Sequence, residues 1–506
     1  MRKIFTLLFA VVTALAAQAT DYDVPVTVTV NDASSEQTGI ITVVEHDGLY
    51  DLTVKNFILQ GEEPMYVGNV EIKDIKPYQV DNTTLLLSNQ TVQIVAGDDP
   101  AAPFWLGPML PPIPMELRGK IENGELRCYL DIDMRESLEQ FITVSIGGGY
   151  QMPNQSFENW HTSTGKNVEP NRWHSFESAT GDYAALATMF GTHIAKSTDA
   201  HSGELSARIF AFSIFGTLAN GTMTTGRMNA GSGSAANTAN NAYLNMSMTD
   251  LDGAGMPFYT PMYSRPDSLV FWTKFNQGKA TPAHPYATVS AVITDGTYYQ
   301  DPEDKTYTNV VAKAQNNQIA VTGDVWTRIS VPFVYTENEV EPKAVLITIS
   351  TNADPGAGSN NDEVLVDDIS FVYNSAVTDI QIKGKSIADF KPDNYLYNVE
   401  VSELPSLDDV VVTTNSTTAY VIKEITYDET LGANFLTVMA LNADMSEYNL
   451  YGIVLKTTVT DVKAPQSAEA ETVTYYTLDG IQVASPQVGK IYLSRKSDGT
   501  VTKILK

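Results

Sequence analysis

Cysteine is almost missing from this sequence. The 506 residues contain one, Cys128, so no disulfide can form within the chain. A secreted eukaryotic protein of this length would ordinarily carry several bridges, and a bacterial exported chain fits better. Positive charge is also scarce, with 32 Lys and Arg against 60 Asp and Glu and a formal net charge of -28. No basic stretch is dense enough to hold phosphates, which argues against nucleic acid as a partner. An acidic surface suits solubility, calcium and neutral ligands instead. Past the N-terminus no apolar run approaches the ~18 residues that a membrane helix needs, so no transmembrane segment is expected. The six histidines form no H-E-x-x-H pattern and no Cys/His metal cluster. There is no G-x-S-x-G elbow, and "GSGSAANTANN" lacks the strand–helix context of a phosphate-binding loop. No organic cofactor is expected.

What is present begins with a leader. "MRKIFTLLFAVVTALAAQAT" has a basic start, an apolar run from Ile4 to about Ala14, and the small-x-small site Ala17-Gln18-Ala19. Residues 1–19 therefore read as a signal peptide. The expected address is the periplasm, the outer-membrane surface or the exterior. Cleavage after Ala19 exposes Thr20 rather than a cysteine, so no lipid anchor is indicated.

The remainder reads as all-β and multidomain. Over 20–147, short alternating strands fold at Asp47-Gly48 and Asn123-Gly124, the pattern of a meander closing into a small β-barrel. The Pro-rich insert "DDPAAPFWLGPMLPPIPM" interrupts it, as a lid or as a plug for the barrel end. Residues 148–375 alternate strands with long Gly/Asn/Ser/Thr loops, as in a jelly-roll β-sandwich. The small residues of "NAGSGSAANTANNAYLNM" permit close approach of backbone or ligand, or simply make a flexible loop. Residues 376–460 form a further β unit, and 461–506 a linker and short C-terminal β hairpin tail.

Four resemblances attach to these segments. "YDLTVKNF", "YVGNVEIKDI" and "PMELRGKIENGELRCYLDIDM" resemble, in order, the calycin-like (lipocalin-like) domain of exported Bacteroidetes proteins. "PNQSFENW", "PNRWHSFESATGDYA", "STDAHSGELSARIF", "RPDSLVFWTKF", "GDVWTRISVPFVY" and "NDEVLVDDISFVY" together resemble jelly-roll carbohydrate-binding modules. They are more similar still to the "putative carbohydrate metabolism" domain of Bacteroidetes. Phe390, Pro392 and Tyr397 make an F-x-P-x-x-x-x-Y corner that resembles the cadherin-like, immunoglobulin-like sandwich. "TYYTLDGIQVASPQVGKIYLSRKSDGTVTKILK" resembles the C-terminal tail of exported Bacteroidetes proteins, which in some relatives is read by a secretion machinery.

The middle resemblance implies a carbohydrate partner and a structural calcium. In "DEVLVDDISFVY" strict alternation would put Asp367 on the apolar face shared by Leu365, Ile369 and Phe371, where an unpaired carboxylate is costly. Carried over from jelly-roll modules, Glu158 and Asp367, with Asp368 as substitute if the strand is bulged, would ligate calcium beside the His201–Gly203 turn. The alternative is that Asp367 accepts hydrogen bonds at the sandwich rim. For stacking and hydrogen bonding to sugar rings, the aromatic candidates are Trp160, Trp173, His174, Tyr259, Tyr298 and Tyr299, with Trp173 reading equally well as a core plug; Trp272 and Trp326 sit in apolar alternation and are expected in the core. Hydrolysis needs two facing carboxylates, and no spacing among Glu177, Asp182, Asp295 and Asp324 singles out a pair. The function this implies is glycan capture or utilisation, with a glycoside hydrolase or a surface adhesin as rivals. Outer-membrane or surface proteins are the other expected partners.

Overall fold

The computed structural model describes residues 18–30, 33–60, 64–135, 139–163, 168–189, 191–428 and 432–457, then 473–476, 482–483, 491–496 and 501–505. The leader lies outside the described residues except for Gln18 and Ala19, and so does the stretch 458–472. Among the described residues no helix is long and apolar enough to cross a membrane. The fold is all-β.

The first unit is one curled sheet of nine strands: β1 (Gln18–Val30), β2 (Ala33–His46), β3 (Leu49–Leu59), β4 (Met65–Ile75), β5 (Pro77–Val80), β6 (Thr83–Val92), β7 (Ile113–Glu122), β8 (Glu125–Met134) and β9 (Gln140–Ile146). Their order is β4-β3-β2-β1-β9-β8-β7-β6-β5. Alternation explains the curl, because one side chain in two points inward. Val26 and Val28, Ile41 and Val43, Leu52 and Val54, and Leu130 and Ile132 meet in a single aliphatic core. Each such burial contributes about 2 kcal/mol. The edge strand β4 reaches the segment that follows β6, where Asn69 and Val95 exchange backbone hydrogen bonds of 2.9 and 3.1 Å. Gly68 makes that possible: its φ is +126° and a Cβ there would lie 2.1 Å from the Val95 carbonyl. In the Pro-rich insert, Trp105 packs edge-on against Tyr66, while Phe104 and Met109 are exposed.

The middle unit is a sandwich. One sheet runs Ile194–Ser197, Ser206–Phe210, Glu363–Val372, Ser268–Asn276, Thr327–Pro332. The other runs Thr222–Thr224, Ala344–Ser350, Ala287–Thr294, Val310–Ile319, Val334–Tyr335. Between them Phe271, Phe275, Val364, Val366, Ile369 and Phe371 interlock with Val289, Ala291, Ile347 and Ile349. A third layer covers part of the second sheet's outer face. It holds the small sheet Arg227–Ala230, Asn240–Leu244 and Tyr299–Asp301, the hairpin Phe212–Ile214 with Thr217–Ala219, and the short helix Ala184–Ala187. Met228, Ala242, Leu244 and Tyr299 pin this layer onto Val292, Ala344 and Leu346.

The third unit pairs a three-stranded sheet (377–382, 385–386, 410–414) with a four-stranded one (396–401, 420–428, 433–441, 448–457). At its corner, Tyr397 Oη accepts from the Lys391 amide at 2.8 Å and donates to the Lys391 carbonyl at 3.0 Å. The C-terminal strands form a four-stranded sheet rather than a lone hairpin. Leu493 packs on Leu450 and Val454, and Arg495 and Tyr476 both engage Asp428.

The units meet on the outer face of β7 and β8. Lys120, 1% exposed, donates to Glu122 at 2.7 Å and to Tyr420 at 2.9 Å. Arg118 and Arg127 reach the carbonyls of Met445 and Asp444, each at 3.2 Å. Tyr150 of the middle unit lies beneath both cations, its ring centre 5.1 Å from Lys120 and 5.0 Å from Arg127, and its carbonyl accepts from Tyr373 at 2.6 Å.

Candidate functional site

The closing strand of the sandwich answers the problem posed by Asp367, and corrects the alternation drawn through it. The register against Ser268–Asn276 slips between Val270 and Trp272, and Asp368 has φ +47°, the signature of a bulge. Parity therefore changes. Val364 and Val366 face the core before the bulge, Ile369 and Phe371 after it, which leaves Leu365 and Asp367 on the outer side. There the 199–205 turn covers Asp367. Its Oδ2 accepts from the amides of His201 at 2.7 Å and Ser202 at 3.2 Å, and its Oδ1 from Asp368 at 2.9 Å. Burial pushes its carboxyl up to about 6 in spite of these bonds.

Glu158 and Asp368 converge on the same turn. Glu158 Oε1 accepts from the amides of Glu204 at 2.9 Å and Leu205 at 3.1 Å. Asp368 is bonded to His201 Nδ1 and Ser202 Oγ, each at 2.6 Å. The three carboxylates gather at one turn, and the turn offers them N–H and O–H donors. Calcium needs oxygens converging on a cation, and this donor set does not fit it. Among the described residues, the group of three potential metal-ligating side chains within 4.8 Å of one another is His46, Asp51 and Asp74, at the barrel rim.

The aromatic candidates scatter. Trp173 is fully buried against Phe157, and His174 is fully buried with Nε2 3.1 Å from Asp252. Tyr299 is 1% exposed and donates to Glu303 at 3.0 Å. These three are core residues and corrections to the surface roles expected of them: their flanking polar residues suggested loops, but the third layer and the 153–178 segment close over them. Trp160 is half-buried and donates to the Phe157 carbonyl at 2.6 Å. Tyr259 is half-buried in the packing of the third layer, and Tyr298, 40% exposed, donates to Gln300 at 2.9 Å. Trp272 and Trp326, expected inside, are only half-buried on the outer face. His201 stacks on Trp272 at 3.9 Å, and Trp326 donates to Asp199 at 3.2 Å.

The built cavity lies elsewhere. Between the outer face of the second sheet and the third layer opens a cleft of about 440 Å³, a volume suited to a small ligand. Its floor is the outward row of the sheet: Thr222, Thr288, Ser290, Gln315, Thr348 and Ser350. Each alternates with a core residue, which fixes its direction. Its roof is apolar and aromatic, with Phe176, Tyr183, Leu186, Phe215 and Leu218. Asp301 enters from one side; burial, its largest influence, raises its pKa, and a hydrogen bond with Ser290 opposes the shift. It is the only carboxylate among the described residues lining the cleft. None of the six aromatic candidates lines it. The segment "NAGSGSAANTANNAYLNM" does, through Ser232, Gly233, Ala235, Asn240 and Asn241, as its small residues suggested. The signal missed in the sequence was the floor: an outward row of Thr, Ser and Gln without the Lys and Glu of an ordinary solvent face.

Residues 19–148 match the calycin-like β-barrel domain family. Over that span the curled nine-stranded sheet is similar to a calycin-like barrel. No protein of curated function matches the chain. One solved structure similar to it is described as a "putative glycoside hydrolase" from Bacteroides thetaiotaomicron. It is 13% identical, with a TM-score of 0.32, over 63% of this chain and 100% of that one.

Proposed function

We propose that this chain is an exported carbohydrate-binding protein and that the cleft over the second sheet is where the glycan sits. The observation that carries the reading is the pairing of walls: hydroxyl and amide groups below, rings and aliphatic side chains above. A pyranose has the same two-sided character, with hydroxyls at its rim and an apolar face that stacks on aromatics. Binding is favoured over hydrolysis because Asp301 stands alone, whereas glycoside cleavage draws on two carboxylates across the scissile bond. The barrel and third unit are joined to each other through the Lys120 and Arg127 contacts. Export rests on the leader.

The test is retardation of the mature chain, residues 20–506, on affinity gels of plant and host polysaccharides. Tyr183→Ala and Phe215→Ala, both at the exposed mouth, are expected to weaken binding about tenfold each. No reducing ends should be released in the same incubations. Failure to bind any polysaccharide would remove this reading.

A further inference from the structure

The polarity of the cleft narrows its ligand. Its described lining contains no Lys, Arg, His or Glu, so nothing positive faces the space, and the chain around it carries a net charge of -28. Two amides show what it asks for. Asn241, 6% exposed, donates through Nδ2 to the Thr238 carbonyl at 2.9 Å. Asn220 donates through Nδ2 to the carbonyls of Asn352 at 3.3 Å and Asp354 at 3.4 Å. These carbonyls accept only, so both amides are fixed with nitrogen toward the backbone. That leaves Oδ1 of each buried without a hydrogen-bond partner. Both oxygens lie sealed behind the cleft wall, so an arriving donor recovers the cost of the unmade bond by turning the side chain toward the space.

Together with Asp301, these oxygens give the cleft a surplus of acceptors and a negative sign. We propose that the cleft selects uncharged, hydroxyl-donating sugars and rejects glycans bearing uronate, sialate or sulfate groups. This rests on the cleft being the sugar site. A neutral sugar brings donors to Asn220 and Asn241. An anionic one brings a charge that must shed water in a place with no cation to receive it, beside a carboxylate.

The experiment is titration calorimetry of the mature chain with matched pairs. The probes are a galacto-oligosaccharide and an oligogalacturonide, a xylo-oligosaccharide with and without glucuronate branches, and a neutral milk-type tetrasaccharide with and without sialate. The neutral member of any pair that binds should be at least about tenfold tighter. Asn241→Ala should weaken the neutral member by about tenfold, and Asp301→Asn should narrow the gap between members. An acidic member that binds equally or more tightly overturns the selectivity and leaves the sugar site standing. Binding by no member of any pair overturns the sugar site and the selectivity together. The ratio in the unsubstituted chain decides the matter even if a variant misfolds.

Discussion

Glu169 shows how far one side chain can bend the pH response of the whole. It is fully buried; its Oε1 accepts from the Ser175 amide at 2.5 Å, Ser175 Oγ at 2.6 Å and Ser178 Oγ at 3.1 Å. Desolvation outweighs those bonds, Glu177 adds its repulsion, and the carboxyl is pushed up to about 7 from 4.5. An acid raised on folding contributes stability that is complete below its unfolded pKa and is lost as pH rises through its folded one. Glu169 therefore costs the fold on the order of 3 kcal/mol above about pH 7 relative to pH 4.5. Glu169→Gln mimics the protonated acid. Urea midpoints should be nearly unchanged by it at about pH 5 and raised at about pH 8. A midpoint that falls at both would contradict this account.

At the scale of elements, the 199–205 turn is a clasp that ties the Glu158 segment to the bulged closing strand. Gly203 has φ +66°, and a Cβ there would stand 2.1 Å from Glu158 Oε1. Gly203→Ala should therefore lower unfolding free energy by about 1–3 kcal/mol, read from urea denaturation. Because the clasp is closed by N–H donors, a calcium chelator should leave the melting temperature where it was; a fall of several degrees would restore the ion. Much of this was legible. Alternation located the strands, Gly48 and Gly124 the turns, and the grouping of Glu158, the His201–Gly203 turn and Asp367 was visible in the order of motifs. What was not legible depends on tertiary cover. A one-residue bulge at Asp368 reverses which side chains face inward. Trp173 and Trp272 differ in burial because of layers contributed from distant sequence, and the Thr, Ser and Gln row of the cleft floor comes from four strands that only the fold sets side by side.

For the whole molecule, the junction of units turns on a few cations. Lys120 is taken out of water while its partner Glu122 stays half-buried, and burial lowers the pKa of Lys120 despite the attraction of Glu122. Removing one member of such a pair strands the other. Lys120→Ala is expected to cost about 3 kcal/mol and to speed hydrogen exchange in Tyr420–Asp428. Lys76 and Glu424 also bridge barrel and third unit, but both are largely in solvent; Lys76→Ala should cost less than about 1 kcal/mol. The cleft has a different division of labour. Thr288, Ser290, Thr348 and Ser350 each alternate with a core residue, Val289, Ala291, Ile347 or Ile349, and can hardly be altered without disturbing the sandwich. Phe215, Gly233 and Ala235 themselves belong to no hydrophobic core, although Ala242 and Leu244 further along the second segment do. One jaw is thus constrained by folding and the other is nearly free of it. Descendants of this chain can reshape the cleft by rewriting two short surface stretches, with the remaining architecture inherited intact.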